Sequence, residues 1–424
     1  MGRAMKDSGV EWIGEIPEDW EVVPHKYVMH KEKSICDHYS GEQILSLTLN
    51  GVIIRDLDAG GKMPTTFDGY QYIKSGDLLL CLFDIDVTPR CVGLVKNDGI
   101  TSPAYSRFIV HPGFLNSYYD YLLRALDDKK VFVPLSKNLR NSLTETDFGA
   151  IKTIVPPLHE QEIIAMFLDK KCAEIDSIIV QTRASIEEYK HLKQAVITQA
   201  VTKGVRGDRP MRDSRNEIIG AIPSDWQVQK MTYISEKIGD GLHGTPQFSD
   251  EGVASFINGN NLGNAHITIK DSTSKVSEEE AAKYLVPLNR QSLLISLNGT
   301  IGKLSYYNGE KIILGKSAGY INLIPGINKY FICYYLQSSV VSLLFELSFA
   351  GTTIKNLSLE TLRNLTIIYP PVDEQKQIVA YLDKKCAEID ALIAKKEQLL
   401  TELESYKKSL IYEYATGKKA VPVQ

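Results

Sequence analysis

The sequence predicts a mixed α/β fold, in which two α/β domains are separated by two long antiparallel coiled-coil helices with an internal pseudo-two-fold repeat. Three observations predict it. The nonapeptide LDKKCAEID occurs twice, at 168–176 and at 382–390. A heptad pattern of apolar residues runs through both copies, and the segments between the repeats mix strand and helix signals. Identity over nine positions is far beyond chance, so we infer that the chain arose by internal duplication.

The duplication extends beyond the nonapeptide. PPLHEQEIIAMFLDKKCAEIDSII at 156–179 matches PPVDEQKQIVAYLDKKCAEIDALI at 370–393, at an offset of 214. A second motif, DSGVEWIGEIPEDWEV at 7–22, matches DSRNEIIGAIPSDWQV at 213–228, at an offset of 206. We call these repeated motifs the frame, because each pair encloses a segment that differs between the two halves.

The enclosed segments, 24–155 and 230–369, share little sequence outside their C-terminal thirds, where the 214 offset places Tyr121 on Tyr335. GDLLLCLF and RFIV in the first segment, and SLLISL and INLI in the second, predict buried strands. FLNSYYDYLLRALDD and NKYFICYYLQSSVVSLLFEL predict amphipathic helices. The two segments are therefore expected to be compact α/β domains with polar loops.

After each Pro-Pro pair, apolar residues recur at alternating spacings of three and four, which predicts a coiled coil. Each helix would run for roughly 44 residues, or about 66 Å. Antiparallel pairing is expected, because it places one variable domain at each end of a rod. One long amphipathic helix packed on a globular core is the alternative. The predicted seam comprises Leu168, Cys172, Ile175, Ile179, Ile186, Tyr189 and Lys193, with Leu382, Cys386, Ile389, Ile393, Leu400, Leu403 and Lys407.

Two pairs of seam residues are unusual for a coiled coil. Cys172 and Cys386 are interpreted as small apolar packing groups, because no second metal ligand lies near them. Lys193 and Lys407 either fix the register of the helices or extend their ammonium groups to solvent, and both interpretations remain open.

Composition excludes some classes of protein but does not identify the function of this one. The 424 residues are 43% hydrophobic and 24% charged, as in ordinary soluble proteins. The sequence has no membrane span and no signal-like start, which predicts a cytoplasmic protein with six reduced cysteines. The net charge of −4 argues mildly against nucleic-acid binding by bulk charge alone.

No catalytic constellation is apparent. GTIGKL and GGKMPT lack the full spacing of a phosphate-binding loop. HEQEI, from His159, lacks the second histidine of a zinc-protease helix, and its repeat partner is Asp373. A non-catalytic chain without a cofactor or metal of its own is therefore expected.

The frame motifs resemble the specificity subunits of Type I restriction–modification enzymes. The resemblance rests on the P-x-D-W box after IG, on PP-x-x-EQ, on LD-x-K-x-x-x-ID and on the Thr416-Gly417 pair, and it covers the whole chain. The first copy departs from the pattern at TKG (202–204), which affects only the helix end. DGLHGTP, from Asp240, is similar to a common opening of this family's target recognition domains.

The resemblance implies a domain order. Residues 1–23 would be an N-terminal frame motif, 24–155 the first target recognition domain, and 156–229 the central repeated helix and linker motif. Residues 230–369 would be the second target recognition domain and 370–424 the C-terminal repeated helix. The chain would bind double-stranded DNA, two adenine methyltransferase subunits and, through them, restriction subunits. S-adenosylmethionine, Mg²⁺ and ATP would belong to those partners.

Polar and basic loop residues are the candidates for DNA contact, because base edges need paired donors and acceptors and phosphates need basic groups. The alternative for each Asn or Thr is turn chemistry. The DNA candidates are Thr48, Asn50, Arg90, Lys137, Arg140, His243, Thr245, Asn258, Asn260, Asn261, Lys303 and Lys355. The exposed repeat lysines Lys170, Lys171, Lys384 and Lys385 are the candidates for partner docking. A free-standing enzyme and a protein scaffold without DNA contact remain as alternatives for the whole chain.

Overall fold

Two helices of 46 and 44 residues, Leu158–Lys203 and Val372–Ala415, carry the frame motifs. Each begins directly after a Pro-Pro pair, whose second proline accepts the first backbone hydrogen bonds of the helix. The predicted helix length of roughly 44 residues is confirmed. The computed structural model describes residues 3–58, 64–136, 141–263, 265–349 and 355–422.

Contacts divide the chain into two units. Unit 1 comprises residues 1–183 and 398–424, and unit 2 comprises residues 184–397. Each unit therefore contains one part of each long helix, together with the α/β segment that lies between frame motifs.

The elements of unit 1 are strands β1 (Met5–Asp7), β2 (Glu15–Pro17), β3 (Glu21–Pro24), β4 (Met29–Lys31), β5 (Ile35–Cys36), β6 (Leu45–Thr48), β7 (Gly51–Ile54), β8 (Tyr70–Ile73), β9 (Leu78–Leu80), β10 (Val92–Leu94), β11 (Gly99–Thr101), β12 (Ser106–Val110) and β13 (Lys152–Val155). Its helices are α1 (Asn116–Asp128), α2 (Glu145–Ala150) and the first part of α3 (Leu158–Lys203).

The elements of unit 2 are strands β14 (Met211–Asp213), β15 (Ala221–Pro223), β16 (Gln227–Lys230), β17 (Ser235–Asp240), β18 (Ala254–Ile257), β19 (Leu262–Gly263), β20 (His266–Ile267), β21 (Lys275–Val276), β22 (Ser292–Ser296), β23 (Leu304–Tyr306), β24 (Ile312–Leu314), β25 (Ala318–Leu323) and β26 (Thr366–Tyr369). Its helices are α4 (Glu278–Lys283), α5 (Lys329–Leu336), α6 (Ser339–Ser348), α7 (Leu359–Asn364) and the first part of α8 (Val372–Ala415).

A four-stranded antiparallel sheet forms the centre of each unit. Its order is β10-β9-β12-β4 in unit 1 and β17-β25-β22-β23 in unit 2. The apolar runs predicted as buried strands form the inner strands β9 and β12 of the first sheet and β22 and β25 of the second, which confirms those predictions. The frame contributes a separate two-stranded pair to each unit, β3 with β13 and β16 with β26.

The predicted helix over 328–347 is two helices, so that prediction was wrong in one respect. Helix α5 ends at Leu336, and Ser338 begins α6 by accepting a hydrogen bond from the backbone N–H of Val341. Serine is a favoured N-cap residue because its hydroxyl satisfies a free N–H of the first turn. In the described part of the chain no single helix is long and apolar enough to cross a membrane, although α5 and α6, bent by 61°, pass that test jointly.

The two long helices pair in an antiparallel sense within unit 1. The ammonium of Lys407 donates to the carboxylate of Asp176 at 2.6 Å, and the Arg183 guanidinium donates to Glu404 at 2.9 Å. Residue numbers rise along α3 as they fall along α8, which defines the direction of pairing.

Unit 2 has the equivalent ion pair, in which Lys193 donates to Asp390 at 2.7 Å. The ammonium of Lys396 also lies 5.7 Å from the centre of the Tyr189 ring. Each seam lysine therefore contacts the last aspartate of the nonapeptide on the facing helix. Of the predicted seam residues, Leu168, Cys172, Ile175, Ile179, Ile186, Leu382, Cys386 and Ile389 are buried, and Tyr189, Lys193, Ile393, Leu400, Leu403 and Lys407 are half-buried.

His25 is fully buried in the core of unit 1. Its ring stacks on Phe148 with the centroids 4.7 Å apart, and its Nδ1 lies 3.0 Å from the carbonyl of Ile151. Burial lowers the pKa of His25 to about 4. At the offset of 206 that relates the two N-terminal motifs, the residue of unit 2 that corresponds to His25 is Met231, which is also fully buried. Methionine is therefore a suitable uncharged substitute for His25.

We predict that His25 makes unit 1 sensitive to acid. An unfolded histidine titrates near pH 6.5, whereas folded His25 stays neutral down to about pH 4. The unfolded state therefore binds the extra proton, and stability present above pH 6.5 is lost as the pH falls towards 4. Urea unfolding should show a loss of about 2 kcal/mol between pH 7 and pH 5 from this group. The His25→Met variant should lose correspondingly less, and an equal loss in both proteins would contradict the assignment.

Candidate nucleic-acid interface

An ionic cluster joins the frame motifs in unit 2. The Arg209 guanidinium donates to Glu374 and, at 2.5 Å, to Asp225. It also lies over the ring of Trp226, 6.0 Å from its centre. The hydrogen bond to Glu374 is the main reason that the pKa of Arg209 is raised. Asp225 and Trp226 belong to the P-x-D-W box and Glu374 to PP-x-x-EQ, so one arginine links both motifs.

Unit 1 has the same cluster. Arg3 donates to Asp19 at 2.7 Å and to Glu160 at 2.6 Å, and its guanidinium lies 5.6 Å from the centre of the Trp20 ring. In addition, Trp20 Nε1 donates to Glu160 at 3.0 Å. We call each set of Arg, Asp, Trp and Glu a frame cluster. Neither arginine was singled out in the sequence, although both lie at the 206 offset that relates the two P-x-D-W boxes.

The end of a long helix packs against each frame cluster. Gly204 follows α3 with φ +81°, and Gly417 follows α8 with φ +72°. A Cβ at Gly204 would lie 3.3 Å from the Trp226 ring, and one at Gly417 would lie 2.9 Å from the Trp20 ring. Glycine is needed here for both the left-handed backbone and the close approach. The TKG departure of the first copy therefore preserves the terminal glycine.

A buried glutamine of PP-x-x-EQ connects each long helix to its α/β domain. Gln161 accepts from the backbone N–H of Leu115 at 2.9 Å and donates to the carbonyl of Pro156 at 2.8 Å. Gln375 makes the corresponding bonds, with Asn328 N–H and the Pro370 carbonyl, at 2.8 Å each. The first turn of α1 or α5 is thereby fixed to the frame.

The nonapeptide also binds its own domain through a tyrosine. The hydroxyl of Tyr121 donates to Asp169 at 2.7 Å, and that of Tyr334 donates to Asp383 at 2.8 Å. Tyr121 therefore corresponds to Tyr334, and its predicted match to Tyr335 was wrong by one residue. The reason lies in the glutamine contacts. Gln161 binds the N–H of Leu115 and Gln375 binds the N–H of Asn328, so α1 and α5 correspond at an offset of 213 rather than 214.

The paired lysines of the nonapeptide make few contacts within the chain. Lys170 and Lys384 are exposed. Lys171 pairs with Glu174 at 2.7 Å, and Lys385 pairs with Glu388 at 2.9 Å, both as neighbours on one helix. Such exposed pairs contribute little to stability. Packing therefore does not explain why these lysines are identical in both copies.

In unit 1 the polar loop candidates lie at the β6–β7 hairpin. Thr48 Oγ1 donates to the Gly51 carbonyl at 3.0 Å and accepts from the Asn50 N–H at 3.1 Å. Thr48 thus has the turn role that was the alternative to DNA contact, whereas the Asn50 side chain is exposed at the tip. Lys137 and Arg140 lie outside the described residues.

Arg90 supports the turn of this hairpin. Its guanidinium donates to the carbonyls of Leu49 and Val92, at 2.5 and 3.1 Å. Burial lowers its pKa. It lines a cleft of about 480 Å³ that contains both acidic and basic side chains. Because two backbone carbonyls use donors of the Arg90 guanidinium, fewer N–H groups remain for a phosphate than in an exposed arginine.

In unit 2 two asparagines form a turn with each other. Around the short 3-10 helix the Asn258 N–H donates to the Asn261 side-chain oxygen at 3.0 Å, and the Asn261 N–H donates to the Asn258 carbonyl at 2.9 Å. Asn258 also accepts from Ser317 at 2.9 Å, and Asn261 donates to the Thr268 carbonyl at 3.0 Å. These contacts give both residues the turn role, and they present the exposed Asn260 between them.

The remaining candidates of unit 2 are more accessible. His243 Nε2 lies 2.7 Å from Asp240 on an exposed loop, and Thr245 and Lys355 are exposed. Lys303 is half-buried. Among the described residues, no group of three or more His, Cys, Asp or Glu side chains could hold a metal ion. All six cysteines are buried and free.

Comparison with known proteins identifies relatives of this chain. Residues 223–404 match the Type I restriction modification DNA specificity domain. The chain is 25% identical over 431 residues to the putative type I restriction enzyme MjaX specificity subunit of Methanocaldococcus jannaschii, which covers 96% of this chain and 95% of the relative. It is 26% identical over 433 residues to the MjaVIII specificity subunit of the same organism, with 95% and 93% covered.

Solved structures share the fold. A structure described as the basis of complex assembly and conformational transition of the type I R-M system has a TM-score of 0.72 at 17% identity, covering 95% of this chain and 99% of that one. The HsdS subunit from Thermoanaerobacter tengcongensis has a TM-score of 0.52 at 18% identity, with 95% and 98% covered.

These findings define first a class, a DNA-specificity protein of mixed α/β fold. Residues 223–404 match the DNA specificity domain, and the chain is similar to type I specificity subunits over most of its length, which confirms the resemblance seen in the frame motifs. Specificity subunits are the non-catalytic components of these systems, so this similarity also confirms the prediction that the chain is not itself an enzyme.

We predict that Arg209→Ala destabilises the protein by about 3 kcal/mol, because it leaves the buried Glu374 carboxylate without its main partner. Arg206, 3.7 Å away, remains as a weaker partner. Urea unfolding followed by circular dichroism measures the change. Lys376→Ala is the control, since its pair with Asp373 is exposed and should cost no more than about 0.5 kcal/mol. Equal effects of the two substitutions would show that the frame cluster does not stabilise the fold.

Proposed function

We propose that this specificity subunit reads a bipartite, asymmetric DNA target and docks two adenine methyltransferase subunits. Residues 24–155 would read one half of the target and 230–369 the other. One observation carries the proposal: the frame makes the same contacts twice around domains whose sequences differ. Both frame clusters, both Gln–backbone links, both Tyr–Asp bonds and both Lys–Asp ion pairs recur in the two units.

The equivalent contacts support a pseudo-two-fold arrangement of the frame. Frame segments related in this way present one docking surface twice, so two copies of one partner bind. The enclosed domains differ, so the two half-sites differ and the target is not a palindrome.

The partners would supply the chemistry. Restriction subunits would join through the methyltransferase subunits, and S-adenosylmethionine, Mg²⁺ and ATP would bind to those proteins rather than to this chain. This chain would contribute DNA sequence recognition and the correct placement of the partners.

Exposure ranks the proposed DNA contacts. Asn50, Thr245 and Asn260 have exposed amide or hydroxyl groups suited to base edges, and Lys355 has an exposed ammonium suited to phosphate. His243 is exposed beside Asp240. Thr48, Asn258 and Asn261 would act by shaping the loops that present these groups.

We predict that exchanging residues 230–369 for the matching segment of a relative changes one half-site and leaves the other intact. Within this segment Asn328 and Tyr334 of α5 bind the frame, as Leu115 and Tyr121 do in unit 1. A matching segment that keeps these contacts should therefore fold and read DNA by itself. Methylome sequencing of cells that carry the chimera reports both half-sites. The reciprocal exchange of 24–155 is the matched control and should alter the other half. A change in both half-sites from one exchange would contradict independent reading.

We also predict that reversing the charges of Lys170, Lys171, Lys384 and Lys385 to Glu weakens methyltransferase assembly while the chain still folds. The reason is that all four lysines recur, although Lys170 and Lys384 are exposed and the half-buried Lys171 and Lys385 pair with glutamates of their own helix. Co-purification of the methyltransferase subunit with the quadruple variant measures assembly. The control reverses Lys190, an exposed helix lysine outside the nonapeptide. Undiminished co-purification would assign the four lysines to helix solvation.

A further inference from the structure

A pocket of about 270 Å³ opens beside the β6–β7 hairpin of unit 1. Its walls are the hairpin, the residues that follow β9 and the turn that precedes β12. Pockets for drug-sized ligands usually measure roughly 300–1,000 Å³, so this pocket suits a smaller group. The lining includes Thr48, Leu49, Phe83, Thr88, Arg90 and Tyr105.

The lining combines aromatic surface with hydrogen-bonding groups. Phe83 is 37% exposed, and Tyr105 is half-buried. Burial raises the pKa of Tyr105, so its hydroxyl stays protonated at neutral pH and can donate a hydrogen bond. Thr88 contributes a second hydroxyl. Aromatic faces for stacking and a few hydroxyls for an edge are the groups with which proteins hold a single nucleobase.

Two exposed aliphatic side chains lie beside this pocket. Leu49, at the turn of the hairpin, is 67% exposed, and Val87, in the loop between β9 and β10, is 73% exposed. Val87 directly precedes Thr88 of the lining. Single exposed apolar residues are common on proteins. Two of them on loops that border one pocket, however, resemble the apolar side chains that DNA-binding proteins insert between base steps.

Hydrogen bonds hold both loops in place. The Arg90 guanidinium donates to the carbonyl of Leu49 and so fixes the turn of the hairpin. The ammonium of Lys130 donates to the carbonyls of Ile85 and Thr88, at 3.3 and 3.0 Å, on either side of the second exposed residue. The pocket is therefore formed before any ligand binds, which lowers the entropy lost on binding.

We propose that this pocket binds one nucleobase that has turned out of the DNA helix, while Leu49 and Val87 enter the gap left in the base stack. The inference rests on the proposed function and adds a mode of recognition to it. A base that stays stacked presents only its edge in a groove. An everted base exposes both faces, one of which stacks on Phe83, and its edge accepts from Tyr105.

Three features favour a base over an apolar side chain of a protein partner. The pocket borders the hairpin that carries the exposed Asn50, a candidate for base contact. Arg90 gives the lining a positive charge, which attracts the phosphate backbone. The hydroxyls of Thr88 and Tyr105 need hydrogen-bond partners when the pocket is filled, and an aliphatic side chain offers none.

The position of the everted base follows from the sequence difference between the two domains. All residues of the pocket belong to 24–155, and residues 230–369 share little sequence with them. The everted base therefore lies in the half-site read by residues 24–155. Exchange of residues 230–369 should leave it in place.

A mismatch scan of the DNA tests the proposal. Methylome sequencing supplies the target sequence, and the protein is the complex of this chain with its methyltransferase subunits. Each base pair of both half-sites is mismatched in turn, and fluorescence anisotropy measures binding. A mismatched base leaves the helix at lower cost, so one position read by residues 24–155 should bind roughly tenfold more tightly when mismatched.

Pocket variants separate this position from the adenines that are methylated. The methyltransferase must itself evert those adenines, so they also gain from a mismatch. Phe83→Ala combined with Tyr105→Phe should abolish the gain at the pocket position and leave the gain at the adenines. Where the everted base is thymine, permanganate oxidation should report its loss of stacking in the wild type and its return to the stack in this variant.

The two exposed aliphatic residues have their own test. Leu49→Ala combined with Val87→Ala should weaken binding of the fully paired target roughly tenfold, because the gap in the stack is no longer filled. Tyr27→Ala is the control, since Tyr27 is 59% exposed and lies outside the pocket. Substitutions at exposed positions rarely change stability, and circular dichroism checks the fold of each variant.

The possible failures are distinct. Specific binding with no mismatch gain outside the methylated adenines would overturn the pocket and leave the proposed function in place. A complex that binds no DNA sequence specifically would overturn the proposed function, and the pocket with it. Pocket variants that lose the methyltransferase subunit on co-purification, but keep the mismatch gain, would assign the pocket to a protein partner and overturn the proposed ligand.

Discussion

The heptad register of α3 against α8 is the constraint on which the other contacts depend. A shift of one residue turns a helix by about 100°, so the seam, the charged flank and the domain-facing side move together. In the observed register Asp169 meets Tyr121, and Asp176 meets Lys407. The nonapeptide therefore contacts two neighbours at once, and this explains why both of its aspartates recur, as Asp383 and Asp390, in the second copy.

The frame also fixes the domains to the helices by groups that are costly to leave unpaired. Gln161 is 1% exposed and satisfies a backbone N–H and a backbone carbonyl, and Glu374 is 1% exposed and is neutralised by Arg209. A buried polar group that loses its partner costs more than the net contribution of its bond. These anchors hold an α/β domain of variable sequence in a constant place, provided that the first turn of α1 or α5 is kept.

The two sides of the helix pair differ in what they contact within each unit. The positions directly after seam residues bind the α/β domain and form interhelical ion pairs, as Asp169 and Arg183 do. The positions directly before seam residues include Ile178 and Tyr406, which are exposed.

The sequence by itself determined the duplication, the long helices and the resemblance to specificity subunits, because identity at fixed offsets and heptad spacing are properties of the chain. It also placed the inner strands of both central sheets. Only the tertiary structure decided which groups meet across long sequence distances. Arg3 and Glu160 are 157 positions apart, and no local pattern predicts their ion pair. The turn roles of Thr48 and Asn258 and the match of Tyr121 to Tyr334 likewise depended on the packing of neighbouring elements, since an isolated residue type fits several environments.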